Sequence, residues 1–120
     1  MNLEQYMFEN DHYTVVLPRS AQDLIDCGNA LNNCVGRYGY WEKMVNKHTC
    51  VIVFVKDKNN LDKHLVCCEI INTGNDNLTI NQFLTTNNCT PAKEVLTFRD
   101  SYEEFLRAFP KENVQINYGW

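Results

Sequence analysis

The sequence predicts an α+β fold: an antiparallel sheet of three to five strands with helices packed on one face. Three observations lead there. Three β-rich apolar runs follow one another between residues 49 and 85, joined by turns too short for a crossover connection. Segments with apolar residues every three or four positions stand on either side of them. The length of 120 residues suits one domain, residues 1–120, and no repeat or low-complexity linker divides it.

Taken in order, Tyr13-Thr14-Val15-Val16-Leu17 is β-rich and stops at Pro18, which predicts a short first strand. Ser20, with Asp23 three residues on, has the form of a helix cap with an acid in the first turn. Leu24, Ile25, Cys27, Leu31 and Cys34 then recur at helical spacing, predicting a helix from about Ala21 to Asn32 despite Gly28. A second, shorter helix is expected over Arg37 to Lys47, with Tyr40, Trp41, Met44 and Val45 inward. The three runs of the meander are Thr49–Lys56, His64–Asn72 and Leu78–Thr85. In the last, alternation groups Leu78, Ile80 and Gln82 on one face and Thr79, Asn81 and Phe83 on the other. Thr90-Pro91 opens a further helix, whose apolar stripe is Val95, Phe98, Tyr102, Phe105 and Phe109, and Pro110 ends it. The tail from Val114 to Tyr118 alternates and is expected to add an edge strand.

Composition narrows the function. Apolar residues are 44% of the chain and charged residues 22%, as in a globular domain. The longest apolar run, Cys50 to Val55, is strand-sized, and the N-terminus lacks the pattern of a secretion signal. A cytoplasmic protein without membrane contact is expected. Eleven basic and fifteen acidic residues give a net charge of −4. Phosphate-gripping domains carry a basic excess, so direct nucleic-acid binding is disfavoured, and a basic protein surface suits this charge better. Sixteen asparagines against two serines, with seven lysines to four arginines, fit an A/T-rich genome. The six cysteines are expected to be free thiols in a reducing compartment. Cys27 and Cys34 are too far apart for a paired zinc ligand, and His12, His48 and His64 are scattered, so neither metal nor cofactor is expected.

Three groups of residues bear chemistry. Glu69 sits between Cys67-Cys68 and Ile70-Ile71, where alternation places it on one face with Cys67 and Ile71. If the neighbouring strand is in register, Gln82 lies beside it. The pair either faces a ligand or occupies a solvated sheet face. Cys34 is either a core cysteine or a nucleophile activated by amides of the following helix, or by His48 or His64 brought up through the fold. Arg37, Tyr38, Tyr40 and Trp41 combine the residue types of binding hot spots, and equally those of a short helix covering a sheet. Asp100, Glu103 and Glu104 form the best acidic patch.

Leu31-Asn32-Asn33-Cys34-Val35-Gly36-Arg37-Tyr38 resembles the Leu-x-x-Cys-Val-x-x-Tyr signature of the PcfJ-like family. Glu69-Ile70 and Gln82 followed by Asn87 or Asn88 match that family's next motifs in order, over about residues 31–88. The resemblance implies that Cys34, Tyr38, Glu69, Gln82 and Asn88 converge in space. It also implies a setting in conjugative plasmids, phages and other mobile elements, commonly within longer proteins. Asn33 stands where family members often carry His, so a thiol activated by that His is not expected here. The leading expectation is a small binder of a host protein, an inhibitor of a defence nuclease or nucleic-acid-binding effector. The alternative is an enzyme working through Cys34, Glu69 and Gln82; a third reading is an oligomerising module.

Overall fold

The computed structural model describes residues 4–37, 39–47, 50–73 and 77–108. Four strands form one antiparallel sheet in the order β1 (Tyr13–Val16), β2 (Cys50–Asp57), β3 (Val66–Asn72) and β4 (Leu78–Leu84). The α+β class and the meander are those the sequence predicts. Each strand lies beside its chain neighbour, as short connections between β2, β3 and β4 require. The segments Phe109 onward, including the expected edge strand at Val114–Tyr118, lie outside the described residues, as do Tyr38 and His48.

The helices divide between the two faces of the sheet. α1 (Ala21–Leu31) lies on the face of Cys67, and α3 (Lys93–Ala108) on the face of Cys68. The expectation of one covered face therefore holds for α3, while α1 covers the other. The reason is written in β2: Cys50 through Val55 are all buried, so both faces of the central strands are apolar and both need cover. On the α3 side, Phe98 and Tyr102 pack with Phe8 and Tyr13. The Tyr102 hydroxyl donates to the Tyr6 carbonyl at 2.8 Å and so ties the N-terminal turn, Glu4–Tyr6, to the helix. Burial holds that hydroxyl well above the usual tyrosine range.

Other boundaries shift for local reasons. Ser20 caps α1 through its Oγ, which accepts from the Asp23 amide at 3.4 Å. The expected helix over Arg37–Lys47 is shorter: the α-helical turn α2 covers Tyr40–Glu42 and passes into a π-helical turn, Lys43–Lys47. There Met44 is fully buried, and its sulfur accepts the Ile52 amide at 3.4 Å, where β2 runs past the end of the short β1. β3 starts at Val66, two residues after His64, and α3 starts at Lys93, two after Pro91.

The largest departure is in β4. Glu69 pairs with Gln82 but Ile70 pairs with Ile80, so Asn81 is the extra residue of a β-bulge. The bulge resets the alternation. Leu78 and Ile80 now share a face with Phe83, toward α3, whereas Gln82 joins Thr79 and Leu84 on the other side. The expected grouping of Gln82 with Leu78 and Ile80 is thereby corrected.

Candidate functional site

On the α1 side a narrow cleft opens over β3 and β4. Its floor is Ile52, Cys67, Glu69, Gln82 and Leu84, and its walls are Asn33, Cys34, Val35, Tyr40 and Asn88. The cavity volume is about 30 Å³, close to one water's share of liquid volume. Register places Glu69 directly opposite Gln82. The bulge residue Asn81 then reaches back, its Nδ2 donating to Glu69 Oε1 at 2.6 Å. Among the described residues no cation lies within ion-pair distance of Glu69.

Local sequence explains how Cys34 reaches the rim. α1 ends at Asn32 in the left-handed conformation, and the Asn32 and Asn33 amides both donate to the Gly28 carbonyl. Asn33 Oδ1 accepts the Val35 amide at 3.0 Å, and the Arg37 amide donates to the Cys34 carbonyl at 2.9 Å. The chain so doubles back along α1 that a Cβ on Gly36 would lie 2.6 Å from Ile25 Cα. Only glycine permits that approach. Opposite, Asn87 and Asn88 are both left-handed, with φ near 59° and 58°. Asn32 Nδ2 donates to Asn87 Oδ1 at 2.5 Å, joining the two loops across 55 residues of chain. Asn32, Asn87 and Asn88 are the non-glycine residues with positive φ among those described, and all lie in the cleft walls or next to them. Asparagine tolerates this region best, and such strain gathers at functional sites.

The electrostatics are those of an acidic, half-dry recess. Burial raises the Tyr40 hydroxyl above its usual range, and the nearby Glu69 charge adds to the effect. Burial, again with Glu69, pushes the Cys50 thiol up to about 11. Lys43 is the cation at hand, and its Nζ lies 4.7 Å from the Tyr40 ring centroid. Behind the floor, the Cys27 thiol of α1 is held below its usual range, chiefly by its Cys67 neighbour on β3 and less by His64, while that same neighbour and burial push the Cys67 thiol up. His64 Nδ1 is buried without a hydrogen-bond partner.

Of the residues expected to bear function, Cys34, Tyr40, Glu69, Gln82 and Asn88 meet in this cleft. Cys34 is exposed, so its core reading is corrected: the loop after Asn32 carries it out of the helical stripe. Among the described residues no imidazole lines the cleft; His64 stands against Phe54 with ring centroids 5.0 Å apart. Nor, among the described residues, does a helix start directly after Cys34; α2 begins at Tyr40. Arg37 is exposed and Trp41 packs half-buried on the core. Asp100, Glu103 and Glu104 lie apart from the cleft on α3, where Arg99 pairs with Asp100 at 3.0 Å and Arg107 with Glu103 at 3.2 Å. Sequence reasoning missed Cys67 and Asn33 as lining residues; the alternation that put Cys67 on the face of Glu69 was the available signal. The six cysteines are free, and no group of three metal-ligating side chains occurs among the described residues. No helix among them is long and apolar enough to cross a membrane.

A four-stranded α+β domain with a polar cleft between a Cys-bearing loop and a Glu/Gln strand pair is the class this geometry defines. The chain belongs to the PcfJ-like protein family, whose model matches residues 2–97. It is also similar to an uncharacterized protein of Listeria innocua, with 35% identity over 85 residues. That match covers 71% of this chain but only 17% of the relative, so the chain spans about a sixth of the relative's length. No solved structure gives a significant match.

Proposed function

We propose that the domain is a protein-binding module that receives a lysine side chain of its partner in the Glu69 cleft. The observation that carries this reading is a half-buried carboxylate at the floor of a recess, with no cation paired to it among the described residues. A carboxylate in such a place favours a charged donor over water. The recess is sized for an ammonium group, and Gln82, Asn88 and the Tyr40 hydroxyl stand ready as further acceptors. The partner in this reading is a host protein. The mobile-element setting that the family resemblance implies makes a defence nuclease or effector the first choice, with inhibition by occupancy of its basic surface.

Amide NMR during titration with N-acetyl-lysine amide tests the cleft directly. Saturable shifts at Glu69, Gln82 and Asn88 that vanish in Glu69→Gln are expected. A tagged pull-down from bacterial lysate tests the partner: Glu69→Gln should release it, and high salt should weaken it. Absence of shifts together with a partner held equally by Glu69→Gln would overturn the proposal.

A second reading, an enzyme acting through Cys34, is favoured by the meeting of thiol, carboxylate and amide in one cleft. It requires that Cys34→Ala abolish a measured turnover while leaving thermal stability nearly unchanged.

A further inference from the structure

Most asparagines around the cleft serve the backbone. Asn32, Asn87 and Asn88 hold positive φ, and Asn33 closes a turn onto the Val35 amide. Asn81 does neither. It lies inside β4, its φ is not positive, and asparagine is a poor strand former. What it supplies is an amide donor. As the extra residue of the bulge it stands with Gln82 opposite Glu69, and its Nδ2 donates to Glu69 Oε1 at 2.6 Å, a short bond of the charge-assisted kind. We propose that Asn81 is the specificity-determining residue of the cleft: by holding Oε1 it makes Glu69 a one-oxygen acceptor that takes an ammonium group and rejects a guanidinium. The inference rests on the reading of the cleft as a lysine receptor and adds what that receptor excludes.

An arginine side chain gains most from a carboxylate when its planar fork meets both oxygens at once. Here the fork cannot have both without displacing Asn81, and while Asn81 stays, one N–H of the fork faces the Asn81 amide, donor against donor. Selectivity of this kind comes from a built-in repulsion and not only from added attraction. An ammonium meets no such conflict. It is a compact charge whose donors turn about a flexible stem, and one Glu69 oxygen with Gln82 and Asn88 beside it can satisfy them. Size acts in the same direction. A recess of about 30 Å³ suits a single small polar group, whereas a guanidinium spreads its nitrogens over a plane.

Amide NMR titrations of the full chain with N-acetyl-lysine amide and with N-acetyl-arginine amide test this. The unaltered chain should bind the lysine compound about tenfold more tightly, the worth of one hydrogen bond to a charged group. Asn81→Ala should still bind lysine but close the gap to about twofold or less, chiefly by strengthening arginine. A residue that merely braced the strands would weaken both compounds in proportion and leave their ratio unmoved. Should Asn81→Ala fail to fold, Asn81→Val removes the donor with a better strand former, and the ratio in the unaltered chain is decisive by itself. Equal binding of the two compounds by the unaltered chain, tighter binding of arginine, or a gap that survives the loss of the Asn81 amide would overturn this inference while leaving a cation-receiving cleft in place. No saturable shift with either compound would overturn the inference and the lysine reading together.

Discussion

Replacing Gly36 by alanine tests how the Cys34 loop is held. The added Cβ would lie 2.6 Å from Ile25 Cα, 3.1 Å from the Leu24 carbonyl oxygen and 3.2 Å from the Ile25 amide nitrogen. All three are backbone atoms of α1, so no side chain can rotate away. Overpacking against a rigid partner costs about 1–3 kcal/mol, and contact with helix backbone belongs in the upper half of that range. In a chain of this size that corresponds to a midpoint lowered by roughly 6–12 °C. Gly28→Ala is the internal control. Its Cβ meets the Gly36 nitrogen at 3.1 Å and the Asn33 oxygen at 3.2 Å. Alanine's helix preference of about 1 kcal/mol offsets much of that crowding, so the net change should stay within about 1 kcal/mol. Urea unfolding with a constant m-value provides the assay. The loop-on-helix packing would be refuted if Gly36→Ala lost under about 0.5 kcal/mol, or if Gly28→Ala proved the more damaging.

Tyr102→Phe leaves the buried Tyr6 carbonyl without its donor, which should cost about 1–2 kcal/mol in chemical unfolding and loosen the N-terminal turn in hydrogen exchange. Asn87→Ala loses the Asn32 bond and must hold φ near 59°, so it should destabilise by about 1–2 kcal/mol more than Asn87→Gly does. Stability should fall as pH rises from about 9 through about 11. Cys50 is buried as the neutral thiol, so its contribution is complete below the unfolded value near 9 and disappears as pH passes the folded value of about 11. Cys50→Ala should make the alkaline slope of the unfolding free energy shallower.

Much of this was open to sequence reasoning because single residues carried strong local signals. Ser20 and Asp23 marked the start of α1 through capping chemistry, and the Glu69–Gln82 pairing followed from alternation once two short turns had fixed an antiparallel meander. Other features left no such mark. The bulge at Asn81 involves no glycine, and an extra residue in a strand disturbs the period only after it has passed. The division of helices between faces was present in the unbroken apolar run of β2, but a continuous run does not say which helix takes which side. The cleft itself was legible only as a set of family motifs in order. Their shared location came from the loop turn at Asn32 to Gly36, where asparagine and glycine serve backbone geometry and not chemistry.

The hydrogen bond between Asn32 and Asn87 has a kinetic side. The β2–β4 meander contains only near-neighbour pairings and can form early, whereas this link must wait until α1 has docked from far upstream. The recess is therefore among the last parts of the molecule to come into being. A nascent or partly opened chain would hold its sheet yet lack the recess, so under the proposed reading a partner seated there would report a finished fold and draw the population toward it.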